Sequence, residues 1–194
     1  MISILSNTIT VYLLNKNAIT WKDKELYDYG IFMIISYIVF LIISILFGLV
    51  FHIPFSSIIF YVVFCLLRNF AGGIHARSEI KCNILTTISL FLSILTIKLF
   101  IEHNLILVAF GLEIISLISL SLIQPVESSK KKITKQEKIF YHKKLVLMAI
   151  ILIIISIIFA ILNIYNIAMS ISMSIVLANI LLIIGAVKHS TRSF

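Results

Sequence analysis

Charged side chains are scarce in this chain of 194 residues. They make up 12% of it, whereas 61% of the residues are hydrophobic, and the mean hydropathy is +1.16. A typical soluble domain has about 25% charged and about 45–50% apolar residues. The composition therefore excludes a water-soluble domain, because the apolar surface is more than a core of its own could hide. We predict an integral membrane protein.

Cysteine, glycine and proline are also few, at two, six and two residues. We find no repeat and no flexible linker, so we expect residues 1–194 to form a single membrane-embedded domain. Cys65 and Cys82 are both expected near the reducing cytosol, which argues against a disulfide. No cluster of Cys and His supplies the ligands of a zinc site. We expect neither a metal nor another cofactor.

The apolar residues fall into six runs, of which five are long enough to cross a bilayer as a helix of about 20 residues. The second run is shorter, and it either spans thinly or is re-entrant. We therefore predict an all-α membrane protein with about six transmembrane helices. The runs cover residues 31–51, 53–67, 83–101, 105–123, 145–162 and 164–187.

The N-terminal segment has no basic start and is not expected to be a signal peptide. Its apolar residues, among them Leu5, Ile9 and Tyr12, recur at helical spacing with polar residues between them. This pattern predicts an amphipathic helix that lies on the inner face of the membrane.

The basic residues give an orientation to the six runs. If all six span, fifteen of the sixteen basic residues fall on one side, and Lys98 is the exception. An excess of Lys and Arg marks the cytoplasmic side. We therefore predict that both termini and the lysine-rich loop between runs four and five are cytoplasmic. Anionic inner-leaflet lipid accounts for the net charge of +8, so no nucleic-acid partner is expected.

The segment 68–82 is the polar exception in this sequence, and it reads RNFAGGIHARSEIKC. His75 and Cys82 are the residue types of a thiol nucleophile and its base. On one continuous helix they would lie about 10.5 Å apart along the axis, which is too far for proton transfer. The chain must therefore turn between them, and Gly72 and Gly73 permit a sharp turn.

Ser78 is suited to the N-cap of a helix that continues into the third run, with Glu79 in its first turn. Cys82 would then lie in or just after that turn. The positive end of the helix dipole, with Arg77 and Lys81 nearby, favours the reactive thiolate form of a cysteine. The spacing alone leaves another interpretation open, in which Cys82 only packs and His75 is a solvated loop residue.

The segment resembles the signature of the accessory gene regulator B family, bacterial membrane endopeptidases that process quorum-sensing peptide precursors. The matching elements are Arg68, the core 72–76 and Cys82. The size, the six spans and the basic inner loop also fit. The element 124–127 is similar to a proline-plus-acid element at that place in the family, although Gln124 stands where a small residue is expected.

The resemblance implies a cysteine endopeptidase for a small amphipathic (AgrD-like) precursor peptide. Cys82 would attack the peptide bond and form a thioester, and His75 would act as its base. An internal Cys or Ser of the precursor would then close a thiolactone or lactone ring. Arg68 would orient the precursor or pair with a carboxylate, and Glu79 is a candidate to orient His75. These residues would lie at the cytoplasmic face, and a homodimer remains open.

Glu113 is a carboxylate in the middle of run four, where a charge costs about 2.5–3.5 kcal/mol on insertion scales. It could be protonated, could pair with Arg68 if the second and fourth spans adjoin, or could make a structural contact. The alternative function is a small transporter or peptide exporter with Glu113 as its intramembrane carboxylate, and the polar residues of run six would suit it. A third class, an enzyme of lipid headgroups, would need clustered acids for a metal, which the inner loops lack.

Overall fold

The computed structural model describes residues 2–71, 79–124 and 135–190. Within these ranges the chain forms seven α-helices and no β-strand, which confirms the all-α prediction. The helices are α1 Ile2–Asn15, α2 Lys24–Val50, α3 Pro54–Ala71, α4 Glu79–Glu102, α5 Ile106–Leu122, α6 Lys135–Ile161 and α7 Tyr165–Ser190.

Five of the helices in these ranges (α2, α3, α4, α6 and α7) are long and apolar enough to cross a membrane. Helix α3 reaches this length because it continues beyond the predicted run to Ala71 and so has 18 residues. Helix α5 has 17 residues, or about 26 Å at 1.5 Å per residue, against a hydrocarbon core of about 30 Å. Helix α5, which corresponds to the fourth predicted run, is therefore at the lower end of the working range.

Large apolar side chains are exposed along the long helices. On α2, for example, Ile38, Ile42 and Leu46 are each more than half exposed, at 53%, 52% and 54%. Soluble monomers rarely expose contiguous apolar surface of this kind. Together with the helix lengths, this identifies a multi-pass membrane protein.

The chain divides into two compact units, Met1–Ile43 and Ser44–Phe194. In the first unit, α1 is a helix as predicted, but its buried side chains include two polar residues. Ser6 and Thr10 donate hydrogen bonds to the Asp28 carboxylate of α2, at 2.8 and 3.4 Å. Leu5 and Tyr12 are instead exposed. The buried face of α1 thus combines Ser6 and Thr10 with the apolar Ile2 and Leu14, whereas other apolar side chains of the helix face outward.

Helix α7 is the centre of the second unit, where it contacts α3, α4, α5 and α6. Among the candidate spans it is also the most buried. Small residues on α7 allow this close approach, and three of its serines, Ser170, Ser172 and Ser174, are buried. Ser174 donates a hydrogen bond to the Phe60 carbonyl of α3 at 2.8 Å. Hydroxyl groups of this kind link helices in a membrane where water is absent.

Three turns of three residues connect α2 to α3, α4 to α5 and α6 to α7. In each, one residue has a positive φ: His52 at 61°, Asn104 at 53° and Asn163 at 60°. The following N–H bonds back to the preceding helix, for example from Leu105 to the Phe100 carbonyl at 2.9 Å. This is the left-handed helix cap, for which Asn and His are among the tolerated residues. Each turn thus ends one helix and starts the next within three residues.

Candidate active site at the start of helix α4

Cys82 is the fourth residue of α4, which begins at Glu79. Cys82 therefore lies in the first turn, whereas Ser78, the predicted N-cap, lies outside the described residues. N–H groups of a first turn have no partner within the helix, and their partial positive charge is concentrated there. The Cys82 carbonyl accepts the hydroxyl of Thr86 at 3.0 Å. The Cys82 residue is only partly buried.

A small cavity lies beside Cys82, in the second unit, between α3, α4 and α7. Its volume is about 20 Å³, close to that of a site for one water molecule, which needs about 10–15 Å³. Its polar lining residues are Arg68, Cys82, Thr86 and Ser89. Its apolar lining residues are Phe64, Leu85, Leu90, Leu177 and Leu181.

Arg68 comes to this cavity from the last turn of α3. A cation is favourable there because the helix C-terminus carries partial negative charge. The guanidinium carbon lies 5.8 Å from the centre of the Phe64 ring, one turn earlier in the helix. Among the described side chains, no carboxylate forms an ion pair with Arg68. Its charge and the positive end of α4 therefore act on the same small space.

The other predicted residues of the segment fall outside the described part of the chain. Gly72, Gly73 and His75 are in the range 72–78, which the structure does not describe, and of Glu79 only the backbone is described. The pairing of His75 with Cys82 therefore stays a prediction. The second cysteine, Cys65, is on α3 and is not among the residues that line the cavity.

Glu113 is fully buried on α5, where it contacts serines of two other helices. Ser172 of α7 donates to its Oε2 at 2.8 Å, and Ser156 of α6 lies 3.4 Å from the same oxygen. Its Oε1 atom has no hydrogen-bond partner among the described groups. The suggested pairing with Arg68 is not formed. Glu113 instead joins α5, α6 and α7 through hydroxyl groups.

The sequence alone does not indicate most of the residues that line the cavity. Thr86 and Ser89 follow Cys82 at helical spacing, so the period of α4 alone could have indicated them. Leu177 and Leu181, by contrast, come from a helix far away in the chain. No local pattern indicates which face of α7 lies against Cys82.

The described side chains include no group of three or more His, Cys, Asp or Glu residues that could hold a metal ion. The groups gathered at Cys82 are a thiol, a guanidinium and two hydroxyls. Such a set fits nucleophilic chemistry on a carbonyl group, in which a positive charge stabilises the developing oxyanion.

A model of the family described as accessory gene regulator B matches residues 6–184. The chain belongs to this family. The match covers nearly the whole chain and confirms the resemblance drawn from the segment 68–82. The family processes quorum-sensing precursor peptides, so a role in that processing follows. No curated protein matched the chain in a second comparison, and no solved structure matched it in a third.

Proposed function

We propose that this member of the accessory gene regulator B family is a membrane cysteine endopeptidase with Cys82 as its nucleophile. The observation that carries the proposal is the position of Cys82 in the first turn of α4, in a cavity that it shares with the guanidinium of Arg68. Family membership supplies the substrate class, a small amphipathic precursor peptide.

In the first step, the Cys82 sulfur attacks the carbonyl carbon of the bond between the future signal and its C-terminal tail. His75 takes the thiol proton and returns one to the leaving amine, as a general base and then a general acid. The C–N bond breaks, the tail leaves, and the remaining part of the precursor is held on Cys82 as a thioester.

In the second step, an internal Cys or Ser of the precursor attacks the thioester carbonyl. The C–S bond to Cys82 breaks, a thiolactone or lactone ring closes, and the nucleophile's proton passes through His75 to Cys82. Thioester exchange keeps the acyl group reactive only when water is excluded. The apolar side chains around the cavity favour that exclusion.

The remaining site residues would support these steps. Arg68 would stabilise the negative oxygen that forms on the attacked carbonyl, because its charge acts on the cavity beside Cys82. Gly72 and Gly73 would let the chain turn so that His75 reaches Cys82. Glu79 would help to orient the imidazole of His75.

We further propose a location for this chemistry. With six spans, the basic loops and both termini lie in the cytoplasm beside the anionic inner leaflet, and Cys82 lies at that face. The whole chain would then act as one peptidase domain, alone or as a homodimer. The ion pair of Lys98 with Glu102, at 3.5 Å, agrees with this orientation, since it neutralises the one basic residue on the opposite side.

Cleavage of the precursor in membranes tests the proposal, with the two cysteines compared as a matched pair. Cys82→Ala should abolish cleavage, whereas Cys65→Ala should retain most of it. Cys65 is the control because it is also half-buried but does not line the cavity. Cleavage at the wild-type level by the Cys82→Ala variant would contradict the proposed nucleophile.

The second candidate function is a small transporter or peptide exporter that uses Glu113. One observation favours it: a carboxylate on α5 is buried against serines of two other helices, and one of its oxygens has no partner among the described groups. Ionisable groups inside membranes often mark transport pathways. Reconstituted vesicles separate the two functions. Peptide movement that Glu113→Gln abolishes and Cys82→Ala leaves intact would favour the transporter.

A further inference from the structure

The cavity beside Cys82 has one apolar wall that takes no direct part in the proposed bond-making steps. Leu177 and Leu181, one turn apart on α7, face the α4 side chains across the cavity. With Phe64, Leu85 and Leu90 they give the cavity an apolar lining. Such a wall makes no contribution to attack on a carbonyl, but it can receive a side chain.

In the thioester intermediate, the bond to Cys82 determines which substrate residue lies near this wall. When an acyl group is bonded to the Cys82 sulfur, the residue that carries it is attached directly to the carbonyl carbon. Its side chain must therefore lie within a few bonds of the sulfur. The cavity that Cys82 lines is the adjacent space of suitable size.

We propose that the cavity is the subsite for the side chain of the residue just before the cleaved bond, and that it takes a small apolar side chain. This inference rests on the proposed function, whose substrate it makes more specific. Leu177 and Leu181 set the size that the subsite accepts.

The chemistry of the lining favours an apolar occupant. Thr86 already donates its hydroxyl to the Cys82 carbonyl, so Ser89 and Arg68 are the polar groups that remain. A polar side chain buried there would lack partners for most of its hydrogen bonds, which is unfavourable. An acidic side chain aimed at Arg68 is the competing occupant.

The size of the cavity favours a small occupant. About 20 Å³ is little more than one water molecule needs. A larger side chain would enter only if Leu177 or Leu181 moved. Pockets of this kind discriminate by about 10–200-fold for one methylene group.

Peptide aldehydes test the subsite without the precursor. The thiol adds to the aldehyde carbon and its proton goes to the oxygen, so the side chain of the aldehyde occupies the subsite. The probes are N-acetyl-alaninal, N-acetyl-phenylalaninal and N-acetyl-aspartal. The protein is the full chain in membranes, with Cys65→Ala so that Cys82 is the remaining thiol. Each aldehyde is titrated for its ability to protect Cys82 from alkylation by iodoacetamide. Intact mass measures the alkylated fraction.

We expect alaninal to protect at a concentration at least about tenfold lower than phenylalaninal or aspartal. Leu181→Ala should reverse much of that preference and improve protection by phenylalaninal about tenfold relative to alaninal. Leu177→Ala should act in the same direction and serves if the first variant folds poorly. The control is Leu182→Ala, which removes a neighbouring side chain that is 1% exposed but does not line the cavity, and it should leave the ratio unchanged.

The ratio does not depend on how much protein is folded, so a merely destabilised variant does not mimic the effect. A ratio that neither Leu181→Ala nor Leu177→Ala changes would overturn the subsite, as would stronger protection by aspartal. Failure of the proposed function would give a different result. Leu181→Ala and Leu177→Ala would still change the aldehyde preference, but no acyl group from a precursor would appear on Cys82.

Discussion

Arg68, in the last turn of α3, and Cys82, in the first turn of α4, line the same small cavity of the second unit. Two helix ends bring them together, and the helices meet at α7. Arg68 and Cys82 thus border a space whose other lining residues are mostly apolar. This relationship gives the proposed peptidase a nucleophile and a group to stabilise an oxyanion.

His75→Gln should lower cleavage by about 10²–10⁴-fold, the usual contribution of a positioned acid–base group. Gln has about the size of His and keeps a hydrogen bond, but it does not titrate near neutral pH. Cleavage rates in membranes with equal amounts of each protein measure the loss. The matched control is His142→Gln, because His142 of α6 is bonded to the Ser121 carbonyl at 3.1 Å and has no proposed role in the chemistry.

The rate at which Cys82 is alkylated distinguishes a general-base role of His75 from a purely structural one. If His75 takes the thiol proton, its replacement by Gln should slow alkylation near pH 7 and leave it unchanged at about pH 9, where free thiols ionise unaided. Unchanged alkylation at both values, together with persisting cleavage, would make His75 an ordinary loop residue.

Labelling of single cysteines should reveal six spans with both termini inside. On a background without Cys65 and Cys82, an impermeant thiol reagent should reach His103→Cys and Leu162→Cys from outside and Lys143→Cys only from inside. These positions are exposed, and they avoid Asn104 and Asn163, whose positive φ makes substitution strained. Outside labelling at position 143 would refute the orientation derived from the basic residues.

Glu113 should contribute to stability and not to cleavage. Glu113→Gln keeps an oxygen that can accept from Ser172, so both the melting temperature and the cleavage rate should stay close to wild type. Glu113→Leu removes the acceptor of two interhelical contacts and should cost about 0.6–2 kcal/mol of stability, as for hydrogen bonds between membrane helices. Thermal unfolding in detergent measures the difference. Loss of cleavage in a fully stable Gln variant would instead assign Glu113 a part in the chemistry.

The helices were largely predictable because the bilayer imposes length and hydropathy on each span. The helix Glu79–Glu102 agrees with the sequence pattern, and the capping role of Ser78 stays a prediction. Hydropathy predicts a shorter second helix than the structure has. Arg68 and Asn69 belong to an additional turn at the end of α3, and hydropathy assigns these polar residues to a loop. In α1 the helical period was correct, whereas the buried contact proved to be Ser6 and Thr10 with Asp28. Hydropathy does not report hydrogen bonds between helices.

The neighbours of each helix were not predictable. The polar residues of run six suited a transporter from the sequence alone, but Ser172 and Ser174 hold α7 against Glu113 and the Phe60 carbonyl. The same central position of α7 brings Leu177 and Leu181 to Cys82. Packing order among spans depends on which small and polar faces fit together, and lipid-facing hydropathy does not specify it.

The central claim is that Cys82 carries an acyl group during the reaction, and intact mass of the protein tests it most directly. The substrate would be the precursor encoded by a short reading frame beside this gene, with its internal Cys or Ser replaced by Ala so that the ring cannot close. We predict a mass gain equal to the N-terminal fragment less one water, located on Cys82, removed by hydroxylamine and absent from Cys82→Ala. Cleavage of this precursor without any adduct, or an adduct that survives Cys82→Ala, would contradict the account.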